Sequence, residues 1–343
     1  MDTVTLVQFN MNQAYGLENF LWPKWPRMLG EITDELNKLP RPRVVGLDEI
    51  ARRERKSGFN LIEKIQQEAG FAYGTYASNY RVPGYFDVGN ALFSDYPLTD
   101  INIGTLKGGF VWGRLHNALF GPRTYILAKV THPHGSFYTI VAHLGVKDAP
   151  HKVASARLLS RISSRITGPV VLLVDANAIP IYSVKRKDFA DGDITNDDYT
   201  RCRTMQFLRL GYPQDLCPVG CYDPAQAEDP DYWTFRGTRR IDYILGNNLP
   251  RPLDYTVVQQ ILSDHAMTIC TLPLPQQSAE RKDITDLVRP PNETIPYHIV
   301  NAVTTLSALP AGVPAAAQAA YASAKQKLSG PAKKISARFK AFL

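Results

Sequence analysis

Residues 170–178, Val-Val-Leu-Leu-Val-Asp-Ala-Asn-Ala, decide how this chain is read. The stretch opens as an unbroken run of β-branched and Leu residues, the pattern of a strand buried on both faces. It stops abruptly at Asp175 and Asn177. These lie two apart, so in extended chain they point the same way. An acid and an amide on one face, where a buried strand ends, suit chemistry. A strand followed by a polar turn is the competing reading, because Asp and Asn both favour turns. The rest of the chain has to decide between them.

Working outward, the same pattern recurs. Residues 3–10 alternate as a strand and stop at Asn10, with Asn12 two further on. A helical stripe of Met28, Leu29, Ile32, Leu36 and Leu39 follows, closed by Pro40 and Pro42. Residues 43–50 form a second buried strand that carries Asp48 and Glu49 at its end. Neighbours on a strand face opposite ways, so one of the two is expected in a shared site. Residues 89–98 make a short strand containing Asn90. Two β-rich runs, 124–131 and 136–143, flank a hairpin-like connection, and the second ends in His143. Residues 152–166 are helical, with Arg157, Arg161 and Arg165 at four-residue spacing. Residues 232–246 hold two strands around a Gly turn, and Asp242 lies between Ile241 and Tyr243 in the second. A carboxylate inside an apolar strand requires a partner. His265, in Ser263-Asp264-His265, suits that role: an Asp fixing one tautomer of an imidazole.

Bulk composition sets the limits. Hydrophobic residues make up 44% and charged residues 21%, as in an ordinary packed globule. No run is long enough to span a bilayer. The first residues enter a strand without the basic and apolar regions of a signal peptide, so an intracellular protein is expected. Cys202, Cys217, Cys221 and Cys270 match no zinc spacing, and reduced thiols are expected. Net charge is +7, unevenly spread. Residues 276–343 hold nine Lys/Arg against four Asp/Glu, leaving residues 1–275 nearly neutral. The expected division is a catalytic body over 1–275 and a basic, Ala/Pro-rich helical tail over 276–343.

Seven strings now stand in order, each at or near a strand end: Phe9-Asn10, Gly46-Leu-Asp-Glu49, Gly89-Asn-Ala-Leu-Phe-Ser94, His143-Leu144, Val174-Asp-Ala-Asn-Ala178, Arg240-Ile-Asp-Tyr-Ile244 and Ser263-Asp-His265. This set resembles the endonuclease/exonuclease/phosphatase superfamily, with its deoxyribonuclease-I-like fold. The resemblance implies an α/β protein: a four-layer α/β/β/α sandwich of two packed mixed sheets, here with a helical C-terminal extension. It also implies hydrolysis of phosphate esters by in-line attack of water. By position, Asn10, Glu49 and Asp264 would hold Mg²⁺, for which Mn²⁺ can substitute. Asp175 would orient or deprotonate the water. Asn177 and His143 would donate hydrogen bonds to charge developing at phosphorus, and His265, held by Asp242, would stabilise the phosphate. Asn90, Arg157 and Arg240 would lie on the substrate side. The sequence departs from the family pattern at Asp48, where Gln is usual, at Val174 and Ala176 around the Asp, at Val141, and at Asn12, where some members carry Asp.

Family members act on DNA, RNA, sphingolipids or inositol lipids, and loops choose among them. Basic residues flank the catalytic strings here: Arg52, Arg53, Arg55, Lys56, Lys185, Arg186, Lys187, Arg236, Arg239 and Arg240. They favour a polyanion, so nucleic acid is the expected partner. Tyr232, Trp233 and Phe235 suit either base stacking or a strand core. The alternative substrate is a lipid or inositol phosphate. In residues 331–343, Ile335, Phe339, Phe342 and Leu343 share one helical face opposite lysines, as in a segment that binds a membrane surface or a protein partner.

Overall fold

The computed structural model describes residues 2–12, 25–52, 60–82, 86–106, 123–145, 149–181, 183, 203–222, 229–259 and 263–288. Two six-stranded sheets form its centre. The first runs in the order β12 (Asp254–Val258), β13 (Met267–Pro273), β1 (Thr3–Asn10), β2 (Arg43–Arg52), β4 (Phe86–Ser94) and β3 (Tyr73–Val82). The second runs β10 (Gln214–Asp215), β11 (Asp242–Asn247), β9 (Val170–Asp175), β7 (Gly135–His143), β6 (Thr124–His132) and β5 (Leu98–Thr105). Both are mixed: β1 pairs parallel with β2 and β7 with β9, while the other neighbours are antiparallel.

The strands are apolar on both faces because both faces are covered. Val4, Leu6, Val44 and Leu92 of the first sheet meet Ile126, Val141, Val171, Leu173 and Ile244 of the second. The alternate residues Val7, Phe9, Val45 and Leu47 pack under α1 (Trp25–Lys38) and α2 (Leu61–Glu68). On the far side Leu127, Ile140, Leu172, Val174 and Tyr243 pack under α3 (Ala149–Ser163) and α4 (Thr204–Gly211). The four-layer sandwich follows from this period-two division of each strand. Gly46 marks where the sheets approach most closely to its backbone. A Cβ there would lie 2.9 Å from Leu173 Cδ1 and 3.1 Å from Val141 Cγ2.

Asn90, expected beside the substrate, instead ties the sheets together. It is fully buried, its Nδ2 donates to the Thr124 carbonyl at 2.9 Å, and its Oδ1 accepts from Asn79. The packed body also continues beyond residue 275. β14 (Glu280–Arg281) pairs with β8 (Ile166–Thr167), and Ala279, Ile284 and Leu287 are buried in the core beneath α3. Residues 289–343 of the tail predicted over 276–343, including the amphipathic segment 331–343, lie outside the described residues, as do Arg53–Lys56 and Lys185–Lys187. Among the described residues, no helix is long and apolar enough to cross a membrane.

Candidate active site

The inward-facing row of each central strand is apolar along most of its length and turns polar at one end. Leu6 gives way to Gln8 and Asn10 on β1, and Val44 and Gly46 give way to Asp48 on β2. Val141 leads to His143 on β7, Leu173 to Asp175 on β9, and Ile244 back to Asp242 on β11. Strand register places these ends together. Asn10 pairs with Asp48, His143 with Asp175, and Asp175 with Asp242. The polar cluster is thus the end of the intersheet layer, and all these side chains are buried.

Asp175 is its hub. Its Oδ2 accepts from Asn10 Nδ2 at 2.8 Å and lies 3.2 Å from His143 Nε2 and 4.0 Å from His265 Nε2. Its Oδ1 accepts from the Asn177 amide at 2.9 Å, closing a turn in which Asn177 takes a φ of 45°. Asp242 Oδ2 and His265 Nδ1 are 2.8 Å apart. Thr234 Oγ1 accepts from the Asp242 amide and fixes that strand end. Ser263 anchors the other partner, donating from Oγ to the Asn10 carbonyl and accepting from the His265 amide.

Glu49 joins the cluster by a route that strand alternation forbids. The β2–β4 register slips between Leu47 and Ile50, and Glu49 sits at a φ of 51°. This irregularity turns Glu49 inward beside Asp48, placing Oε1 3.5 Å from His143 Nδ1. The expectation that one of the two acids would reach the site is therefore corrected: both do. Asp48 Oδ2 accepts from Gln8 Nε2 at 2.6 Å and from the Asp175 amide at 3.3 Å.

Burial governs the electrostatics. Asp175 is pushed up to about 7, by burial first and then by the charge of Asp242. Asp48 is likewise raised well above the usual carboxylate range, by burial and by Asp175. Burial opposes the charged form of His265, but Asp242, Asp175 and Asp264 outweigh it and raise the imidazole to about 10. His143 is driven well below the ordinary histidine value by burial and by the positive charges of Arg123 and His265. His143 is therefore neutral and His265 charged.

That difference reassigns roles. Asn177 Nδ2 donates to the Leu144 carbonyl at 3.0 Å, which fixes the amide's orientation, and lies 2.9 Å from His143 Nε2. His143 Nε2 therefore accepts, and its Nδ1–H faces Glu49. Asn177 thus donates within the protein, its backbone amide to Asp175 Oδ1 and its side-chain Nδ2 to the Leu144 carbonyl. His265 Nε2 has no acceptor within hydrogen-bond distance among the described residues, with Asp175 Oδ2 at 4.0 Å and Asp264 Oδ1 at 3.9 Å.

Two other expectations are corrected. Arg240 makes a bidentate, buried pair with Asp215, at 2.8 and 2.7 Å, and also donates to the Val219 carbonyl. It braces the edge of the sheet, because a buried guanidinium needs a carboxylate more than it needs a ligand. Arg157 lies over the Phe207 ring at 4.1 Å, between α3 and α4. The residue that α3 sends to the site is Lys152, fully buried, with Nζ donating to the Asn177 carbonyl at 2.8 Å. Among the described residues, Cys217, Cys221 and Cys270 are free and buried.

The family model for the endonuclease/exonuclease/phosphatase family matches residues 8–265, which include every strand end described above. The chain belongs to this family. Its members are hydrolases of phosphoester bonds, and this chain is a phosphoesterase of that kind. No curated protein matches it. Among solved structures it is similar to an endonuclease/exonuclease/phosphatase from Beutenbergia cavernae, at 15% identity and a TM-score of 0.59, over 80% of this chain and 72% of that one. The family protein from Bacteroides vulgatus is similar at 16% identity and a TM-score of 0.54, over 80% and 100%. ANGEL2, a 2',3'-cyclic phosphatase, is similar at 14% identity and a TM-score of 0.52, over 78% and 94%. At these identities the likeness shows the fold alone.

Family enzymes generally use a divalent metal ion, and the donor chemistry here fits one. Five carboxylates, those of Asp48, Glu49, Asp175, Asp242 and Asp264, gather at this end of the strands. The Glu49 carboxylate and the Asn10 and Asp264 side-chain oxygens form an all-oxygen set, as a hard cation requires. Asp175, Asp242 and His265 also bring one ligand atom each within 4.8 Å of one another. Within that trio Asp242 Oδ2 and His265 Nδ1 already bond each other. Asp264 is partly engaged elsewhere, since its Oδ2 receives Arg236 Nη2 at 3.2 Å.

Proposed function

We propose that this phosphoesterase hydrolyses phosphodiester bonds in nucleic acid, with Mg²⁺ held by Glu49, Asn10 and Asp264. The observation that carries the chemistry is the pairing of Asp175 Oδ2 with His265 Nε2, 4.0 Å apart, one an acceptor near neutrality and the other a charged donor. A single oxygen atom fits within hydrogen-bond distance of both. Asp175, pushed up to about 7, is matched to taking a proton from water near neutral pH. His265 donates from Nε2 to a phosphoryl oxygen, and Asp242 keeps it charged and in register. Asn10 and Asn177 hold the Asp175 carboxylate so that its orientation is set before substrate arrives. The metal ion, when bound, supplies charge neutralisation at the phosphoryl and leaving oxygens.

The choice of nucleic acid rests on charge. Residues 1–275 are nearly neutral as a whole, but basic residues follow or flank the catalytic strand ends. The test is a hydrolysis panel with Mg²⁺: single- and double-stranded DNA, RNA, sphingomyelin and phosphoinositides, with Glu49→Ala as the blank. Cleavage of nucleic acid that disappears in the blank is the expected result. Turnover of a lipid or inositol phosphate with nucleic acid untouched would replace this reading with the lipid one.

A further inference from the structure

The hairpin before β11 turns at Arg236 and Gly237, both at positive φ, 50° and 60°. Thr238 bonds back to the Phe235 carbonyl, and Phe235 bridges to Arg239 across the turn. Such two-residue turns favour Asn, Asp or Gly at both central positions, so an arginine there is a costly choice. Its surroundings hold it still. The Arg236 amide donates to the Asp264 carbonyl at 2.9 Å. Its Nε and Nη2 reach Asp264 Oδ2 at 3.3 and 3.2 Å, and its guanidinium lies 4.9 Å from the centroid of the Phe235 ring. That ring stands edge-on to His265, centroids 4.9 Å apart. The Arg236 side chain is nevertheless 59% exposed. An ion pair so exposed adds little to stability. What it does is aim a guanidinium at solvent, with three of its five N–H groups unspent among the described residues, beside Asp264, the neighbour of the charged His265.

We propose that Arg236 is the second phosphate contact of this site, taking the phosphate beside the scissile one on a nucleic-acid strand. The inference rests on the nucleic-acid reading and sharpens it: substrates with a neighbouring phosphate gain an anchor that a lone diester lacks. Arginine suits the task because its planar fork meets phosphate oxygens two at a time.

The experiment compares a short oligonucleotide with bis(p-nitrophenyl) phosphate, a diester without a neighbouring phosphate, using wild type, Arg236→Gln and Arg236→Lys. Arg236→Gln should lose about tenfold more kcat/KM on the oligonucleotide than on the small diester, mostly through KM. Its oligonucleotide KM should also show a salt slope lower by about one. Arg236→Lys should recover the salt slope and part of the KM. Equal losses on both substrates would overturn the proposal, placing Arg236 behind Asp264 and His265 as a brace. So would an oligonucleotide KM and salt slope that Arg236→Gln leaves in place. A wild type that cleaves the small diester but no oligonucleotide defeats the nucleic-acid reading first, and this inference with it.

Discussion

At the scale of single residues, the site works by making chemically similar groups unlike one another. Two histidines lie within reach of Asp175, and burial neutralises one while carboxylates charge the other. His265 depends on Asp242 for that charge, so the two should behave as one unit. We expect His265→Gln to lower kcat by at least about a hundredfold, and the His265→Gln, Asp242→Asn double variant to be little worse. Losses that multiply across the double-mutant cycle would show that the 2.8 Å contact between them is not what matters. The sequence exposes this pair well, because an Asp in an apolar strand and a His at a strand end each need a partner. It misleads about Arg240. That residue sits two before Asp242 in a basic cluster, yet its partner is Asp215, brought alongside only by the pairing of β10 with β11.

At the scale of elements, alternation along the strands makes the fold legible and also marks the limit of that legibility. Leu6-Gln8-Asn10, Leu173-Asp175 and Ile244-Asp242 each turn from apolar to polar on the inward row, and this is visible in the chain. What is not visible is the register slip between Leu47 and Ile50 that brings Glu49 onto the same side as Asp48. Nor is the role of Lys152, although its position one helical turn before Ala156 and two before Leu159, both buried, is a signal: a lysine in line with a core stripe is expected to be held. The packing of Ile284 and Leu287 into the core is not visible either, because they come from a segment without an apolar run. Sheet packing itself gives a prediction. Gly46 has Leu173 and Val141 where a side chain would go, so Gly46→Val should destabilise the fold by about 1–3 kcal/mol, with Gly46→Ala between it and wild type. Urea midpoints for the three proteins test this, and equal midpoints would mean the two sheets separate more easily than this contact implies.

At the scale of the whole molecule, the site imposes its charge on stability. The folded-state value of Asp175, about 7, lies above the about 3.9 of an unfolded aspartate, so folded protein keeps a proton that the unfolded chain has lost. Its burial therefore costs stability as pH rises from about 4 through 7. His265 runs the same way. Its folded value of about 10 exceeds the unfolded value of about 6.5, so the stabilisation it supplies is complete below about 6.5 and is lost as pH rises toward 10. Both slopes point down with rising pH, and a divalent cation opposes both by giving the carboxylates a partner that protons compete with. Protein treated with EDTA should thus have a higher urea midpoint at about pH 6 than at about pH 9, and Mg²⁺ should raise the midpoint more at the higher pH. Asp175→Asn should flatten the part of the slope below about pH 7 in the EDTA-treated protein. A metal-free midpoint that climbs between pH 6 and 9 would contradict the sign for both groups. A Mg²⁺ effect equal at the two pH values would mean that the ion, if it binds, does so away from these carboxylates.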